Sequence, residues 1–146
     1  MKIAVINGPN LNLLGTREPE IYGTTTLAQI EERLRVVASE LNAEIGFAQY
    51  NGEGEIVGAI HDMRGTADGA LVNAGAYAHS SLAIRDALAA IAIPFVEVHL
   101  TNIFAREPER RRSVLAGAAV ALVCGFGAVS YELALRGLLS KLKQDA

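Results

Sequence analysis

Residues 2–10 read Lys2-Ile3-Ala4-Val5-Ile6-Asn7-Gly8-Pro9-Asn10. A short apolar run, rich in β-branched side chains, ends abruptly in amides, a glycine and a proline. That pattern is a buried strand that stops at a turn. The same design recurs in Ala70-Leu71-Val72-Asn73 and in Phe95-Val96-Glu97-Val98-His99. Weaker versions are Glu44–Tyr50, interrupted by Gly46, and Val120–Cys124. Helical periodicity fills the gaps. Leu27, Ile30, Leu34, Val37 and Leu41 fall on one helix face, and Thr26 with Gln29 forms a capping-box pair at its start. Glu53–Arg64, Ser81–Ile91 and Ser130–Leu142 are three further helices, the last with Lys141 and Lys143 at the favoured end of its dipole. Strand and helix in alternation predict parallel strands joined by right-handed crossovers. Five such strands predict an α/β, flavodoxin-like three-layer sandwich with strand order 2-1-3-4-5.

The chain has 146 residues, which is one domain's worth, so residues 1–146 are expected to form a single domain. Thirteen basic and 16 acidic residues leave a net charge of −3, without the basic footprint of a nucleic-acid binder. Cys124 is the one cysteine, so the chain forms no internal disulfide, and a reducing, cytoplasmic setting is expected. The opening strand turns polar at Asn7, too soon for the apolar region of a signal peptide. Val114–Val129 lacks polar side chains over 16 residues but is too short for a span and holds three glycines. It is expected to be a buried helix leading into a buried strand. Lys2, Lys141 and Lys143 are the only lysines, all near the ends, which argues against Schiff-base chemistry in a formed pocket.

Ligands of such sheets bind beyond the carboxyl ends of the strands. Those ends carry Asn7-Gly8-Pro9-Asn10, Asn51, Asn73, and the pair Glu97 and His99. Glu97 and His99 are two apart on one strand and therefore share a face. A carboxylate there fixes the imidazole's tautomer and favours its protonated form, making a competent general acid. The first connection, Gly8 to about Thr25, is too long for a plain strand-to-helix loop and reads as a lid. It carries Arg17 and Tyr22. A free phenol titrates near 10, so forming tyrosinate at neutral pH costs about 4 kcal/mol unless cations help. Arg17, with Arg110 expected opposite, is suited to that task. Gly125-x-Gly127 is expected to be a tight turn into the last helix. On these residues alone, a non-catalytic flavodoxin-like module holding a flavin or a small polyhydroxy acid remains an alternative to an enzyme.

Several motifs, taken in order, resemble the type II 3-dehydroquinate dehydratases. They are Asn7-Gly8-Pro9-Asn10-Leu11-Asn12, Leu14-Gly15-x-Arg17-Glu18 with Tyr22-Gly23, and Asn51-x-Glu53-Gly54-Glu55. Asn73-Ala74-Gly75-Ala76-Tyr77-x-His79, Arg85-Asp86-Ala87-Leu88, Glu97-Val98-His99-Leu100-Thr101-Asn102 and Arg106-Glu107-x-x-Arg110 complete the set. The resemblance covers about Lys2 to Leu139. It implies loss of water from 3-dehydroquinate by anti elimination through an enolate, with neither metal nor cofactor. Tyr22 would be the base, with Arg17 stabilising its charge. His99, backed by Glu97, would protonate the departing hydroxyl. Asn10 would hold the water that polarises the enolate oxygen. Asn73 and the Leu100–Thr101 backbone would grip the substrate carboxylate and hydroxyls, with His79 and Arg110 on ring hydroxyls. Asp86 would reach a neighbouring site across a subunit contact, since family members assemble as trimers, usually four to a dodecamer. Partners other than the substrate and further copies of the chain, such as nucleic acid or membrane, are not implied. The sequence departs from the family's usual residues at Glu109, Val114, Tyr50, Gly52 and Ala74.

Overall fold

The computed structural model describes residues 1–146. Five parallel strands form one sheet in the order β2-β1-β3-β4-β5. They are β1 (Lys2–Asn7), β2 (Glu44–Gln49), β3 (Gly69–Asn73), β4 (Phe95–His99) and β5 (Ala121–Cys124). The helices are α1 (Pro19–Tyr22), α2 (Leu27–Glu40), α3 (Glu53–Asp62), α4 (Leu82–Ile91) and α5 (Val129–Gln144). This is the flavodoxin-like α/β arrangement expected from the alternation of elements.

Strand alternation sorts the core into two halves. Ile3, Val5, Leu71, Val96 and Val98 meet Ile30, Leu34 and Val37 of α2 and Leu135 and Leu138 of α5. Ile6, Ala70, Val72 and Phe95 meet Ile56 and Ile60 of α3 and Ile84, Ala87 and Leu88 of α4. Each central strand is therefore apolar on both faces, as a covered parallel sheet requires. The capping box of α2 is complete: Gln29 N–H donates to Thr26 Oγ1 at 3.2 Å and Thr26 N–H donates to Gln29 Oε1 at 2.9 Å. Ser81 caps α4 through Ile84 N–H at 3.0 Å.

Residues 114–129 depart from expectation. Residues 114–120 form turns and no helix, and β5 is only half-buried. Val114 and Leu115 are the buried anchors of the turns, with Ala118 and Ala119 packed against the same core. The rest of this stretch is mostly alanine and glycine, which supply little area to bury and hold a helix. β5 lies at the sheet edge, where only one neighbour covers it. Gly125 and Gly127 then turn the chain into α5 at φ 98 and 62, the left-handed region expected of that pair.

The long first connection is ordered. It contains a 3₁₀ turn at Leu11–Leu13 and the single-turn helix α1. Leu11 and Leu14 are buried and pin it to the core. No helix is long and apolar enough to cross a membrane.

Candidate active site

The register places three amides side by side where the strands end: Asn7 lies opposite Gln49 of β2 and Asn73 of β3. Asn7 and Asn73 follow Val5 and Leu71 by two, so they point to the α5 face. There Tyr131, fully buried, joins them. Asn73 Nδ2 donates to Tyr131 Oη at 2.8 Å, and Tyr131 Oη donates to Asn7 Oδ1 at 2.6 Å. Asn73 Oδ1 accepts from Gly75 N–H at 3.2 Å. Burial pushes the Tyr131 phenol well up, so it stays neutral and serves as a fixed donor and acceptor. Tyr131 is a residue that sequence reading missed, because a tyrosine among leucines on a helix reads as core.

Above this floor β1 and β3 converge closely. A Cβ on Gly8 would lie 2.3 Å from the Ala74 carbonyl oxygen, so only glycine permits the approach. Asn10 follows in the left-handed region at φ 67, its N–H donating to Asn51 Oδ1 at 3.1 Å. Asparagine tolerates that conformation better than most residues.

The ends of β1, β3 and β4 and the first loop together line a cleft that is partly open to solvent. It collects Asn10, Arg17 and Tyr22 from the first connection, and Asn73 and His79 from β3 and the turn after it. His99, Leu100, Thr101, Arg106 and Arg110 come from β4 and the segment following it. Of the eleven residues proposed from sequence, nine reach this cleft. Glu97 lies behind His99. Asp86 is exposed on α4 and does not reach the cleft of its own chain.

Tyr22 is half-buried and faced by two guanidiniums. Arg17 Cζ lies 4.8 Å from its ring centroid and Arg106 Cζ lies 5.3 Å away. Arg106 Nη1 also donates to Tyr22 Oη at 3.0 Å. The second cation is therefore Arg106, where sequence reading expected Arg110. Arg110 lines the cleft but is tied to Glu107 at 2.6 Å, and Glu107 is held below the ordinary carboxylate range mainly by backbone and Arg110 hydrogen bonds. The signal for Arg106 was present in the motif Arg106-Glu107-x-x-Arg110, but four similar arginines between 106 and 112 do not declare which one turns inward.

On the opposite side, Glu97 and His99 share the α3/α4 face of β4, as their spacing requires. Glu97 Oε2 lies 3.3 Å from His99 Nε2, with both side chains buried. The two atoms are close but not aligned as a hydrogen bond, and neither has another partner. The contact is one of proximity, a carboxyl group placed directly beside an imidazole. The His79 ring stacks beside His99 with centroids 6.0 Å apart, and its Nδ1 donates to the Arg112 carbonyl at 2.7 Å. One side of the cleft thus presents a phenol held by cations. The other presents an imidazole backed by a buried carboxyl group.

Comparison with known proteins gives a consistent neighbourhood. The family model described as dehydroquinase class II matches residues 1–139. A 3-dehydroquinate dehydratase from Gemmatimonas aurantiaca is 59% identical over 143 residues, covering 98% of this chain and 94% of the relative. The crystal structure of type II dehydroquinase from Butyrivibrio crossotus superposes with a TM-score of 0.93 at 39% identity, over 96% of this chain and 97% of that one. That of type II dehydroquinase from Propionibacterium acnes gives 0.91 at 40% identity, over 95% and 96%.

Proposed function

The chain belongs to the class II dehydroquinase family, and from that premise we infer that it removes water from 3-dehydroquinate to give 3-dehydroshikimate, a step of the shikimate pathway. The observation that carries the reading is the placement of Tyr22, between Arg17 and Arg106, across one cleft from the Glu97–His99 pair. Elimination needs a base on one side of the substrate and an acid on the other.

Tyr22, as phenolate, takes the proton from the carbon next to the ketone. The Arg106 hydrogen bond and the Arg17 charge meet the negative charge on the phenol oxygen before transfer. The electrons move onto the ketone oxygen as an enolate, polarised by a water that Asn10 holds. The enolate then collapses, the carbon–oxygen bond to the leaving hydroxyl breaks, and His99 donates the proton that turns it into water. Glu97 offsets the imidazolium charge in the buried wall. Asn73 has one amide hydrogen free for substrate, its other contacts being spent on Tyr131 and Gly75. Leu100 and Thr101 at the end of β4 grip the carboxylate, and His79 and Arg110 contact ring hydroxyls.

Residues 1–146 act as one dehydroquinase-type domain, working in the cytoplasm without metal or cofactor. The active form is a homo-oligomer, a dodecamer built from trimers, in which Asp86 serves a neighbouring copy's cleft. Mixing the protein with 3-dehydroquinate and following the absorbance of the conjugated enone product tests the activity directly. No rise above background would remove it.

A further inference from the structure

Glu97 lies on the α3/α4 face of β4 and is wholly buried. A carboxylate in such a place is costly unless each of its oxygens is met. Oε2 meets His99. Oε1 meets the hydroxyl of Ser113, from the turn segment leading to β5.

The hydroxyl's other bonds decide the direction of this contact. Ser113 Oγ accepts from Leu115 N–H and from Ala116 N–H, each at 3.1 Å. A serine hydroxyl has two lone pairs and one hydrogen. Both lone pairs are occupied, so Oγ cannot accept a proton from a neutral Glu97. Its only remaining act is to donate. Glu97 Oε1 is thereby held as an acceptor, and Oε2 is left turned to the imidazole, the one position from which the carboxyl can exchange a proton with the ring.

The segment carrying Ser113 is clamped on both sides. Val114 N–H donates to the Ala78 carbonyl at 2.8 Å, and Arg85 donates to the Val114 carbonyl at 2.6 Å. The Arg112 carbonyl accepts from His79 Nδ1. Two consecutive residues thus govern the two stacked histidines, Arg112 directly and Ser113 through a carboxylate.

We propose that Ser113 is a positioning residue for proton delivery, fixing the Glu97 carboxyl with Oε2 aimed at His99 Nε2 so that the other ring nitrogen is left for the cleft. Its kinetic consequence rests on the dehydratase reading above, with His99 as the acid.

The test is Ser113→Ala, alone and in a Glu97→Gln background. The hydrogen bond lost is one to a buried carboxyl group, so kcat should fall about 10- to 100-fold. KM should stay within about twofold, because the loss is not in substrate binding. Ser113→Thr, which keeps the hydroxyl, should restore the rate. In the Glu97→Gln background the alanine change should cost nothing further, since its route is already cut. Loss of a mere turn would instead multiply with Glu97→Gln, and that result, or parental kcat in Ser113→Ala, overturns the proposal. If the alanine variant does not fold, Ser113→Cys, a weaker donor, should give an intermediate kcat, and a parental kcat there overturns it equally. Nitrogen-15 NMR of the His99 ring supplies a readout independent of turnover. The parent should hold its proton on Nε2, and Ser113→Ala should lose that bias. An unchanged tautomer sinks the Ser113 role, whereas a parent that never turns over 3-dehydroquinate sinks only the dehydratase reading.

Discussion

Tyr22 illustrates how much a single side chain depends on neighbours far away in sequence. Its ring packs against the core while its oxygen meets Arg106, 84 positions on. Tyr22→Phe keeps the packing and deletes the base. Turnover should drop 100- to 10,000-fold, roughly the worth of general base catalysis, with KM little changed. Steady-state rates on 3-dehydroquinate decide it, and a phenylalanine variant within about threefold of the parent would clear Tyr22 of the role. Arg106→Gln removes the cation that touches the phenol oxygen and should cost about 100- to 1,000-fold in kcat, comparable to losing one oxyanion donor. Arg110→Gln should raise KM more than it lowers kcat, because Arg110 lines the cleft without touching Tyr22. Equal kcat losses from both variants would contradict that division. The short-range part of this site was legible in the chain. Glu97 and His99 follow from strand periodicity, and Arg17 and Tyr22 from sharing one loop. Arg106, Tyr131 and Ser113 were not, because each meets its partner only when separate elements are docked.

Elements were legible where periodicity or capping chemistry was strong. The Thr26–Gln29 box marks the start of α2, and the end of β4 was read to the residue. Residues 114–120 misled because an unbroken apolar run carries no period, and small side chains suit a turn as well as a helix. Helix pairing was also hidden. Arg33 of α2 grips Glu132 of α5 with two hydrogen bonds of 2.9 Å, joined by Arg136. The Arg33 bond, with help from Arg136, holds the Glu132 carboxyl below its usual value of 4.5. A depressed carboxyl stabilises the fold above the unfolded value and ceases to do so as pH falls through the folded one. Glu132→Gln should therefore lower the melting temperature at pH 7. The gap between variant and parent should shrink below about pH 4.5 and close at lower pH, where the parent's carboxyl is protonated too. Melts across that range measure it, and a gap independent of pH would show that charge is not involved.

At the scale of the whole molecule, Asp86 stands outside the cleft of its own chain, and the cleft it was expected to serve is a neighbouring copy's. Leu82 lies four residues earlier on the same face of α4 and is 61% exposed. An apolar side chain beside an isolated carboxylate suits a subunit contact, so the protein should elute far above 15.5 kDa, near a multiple of a trimer. Asp86→Ala should weaken substrate binding and assembly together, by size-exclusion chromatography and KM. A fully active monomer would refute the assembly. The buried Asn7–Tyr131–Asn73 chain has a consequence of another kind, in the order of biosynthesis. Tyr131 belongs to α5, which is synthesised after all five strands, while both asparagines belong to the first three strands. A nascent chain that has made its whole sheet still lacks the hydroxyl that orients Asn73, and its two buried amides are left without their shared partner. A ligand stabilises only the state it binds, so substrate can reward a polypeptide that has docked α5 but not one that stops before it.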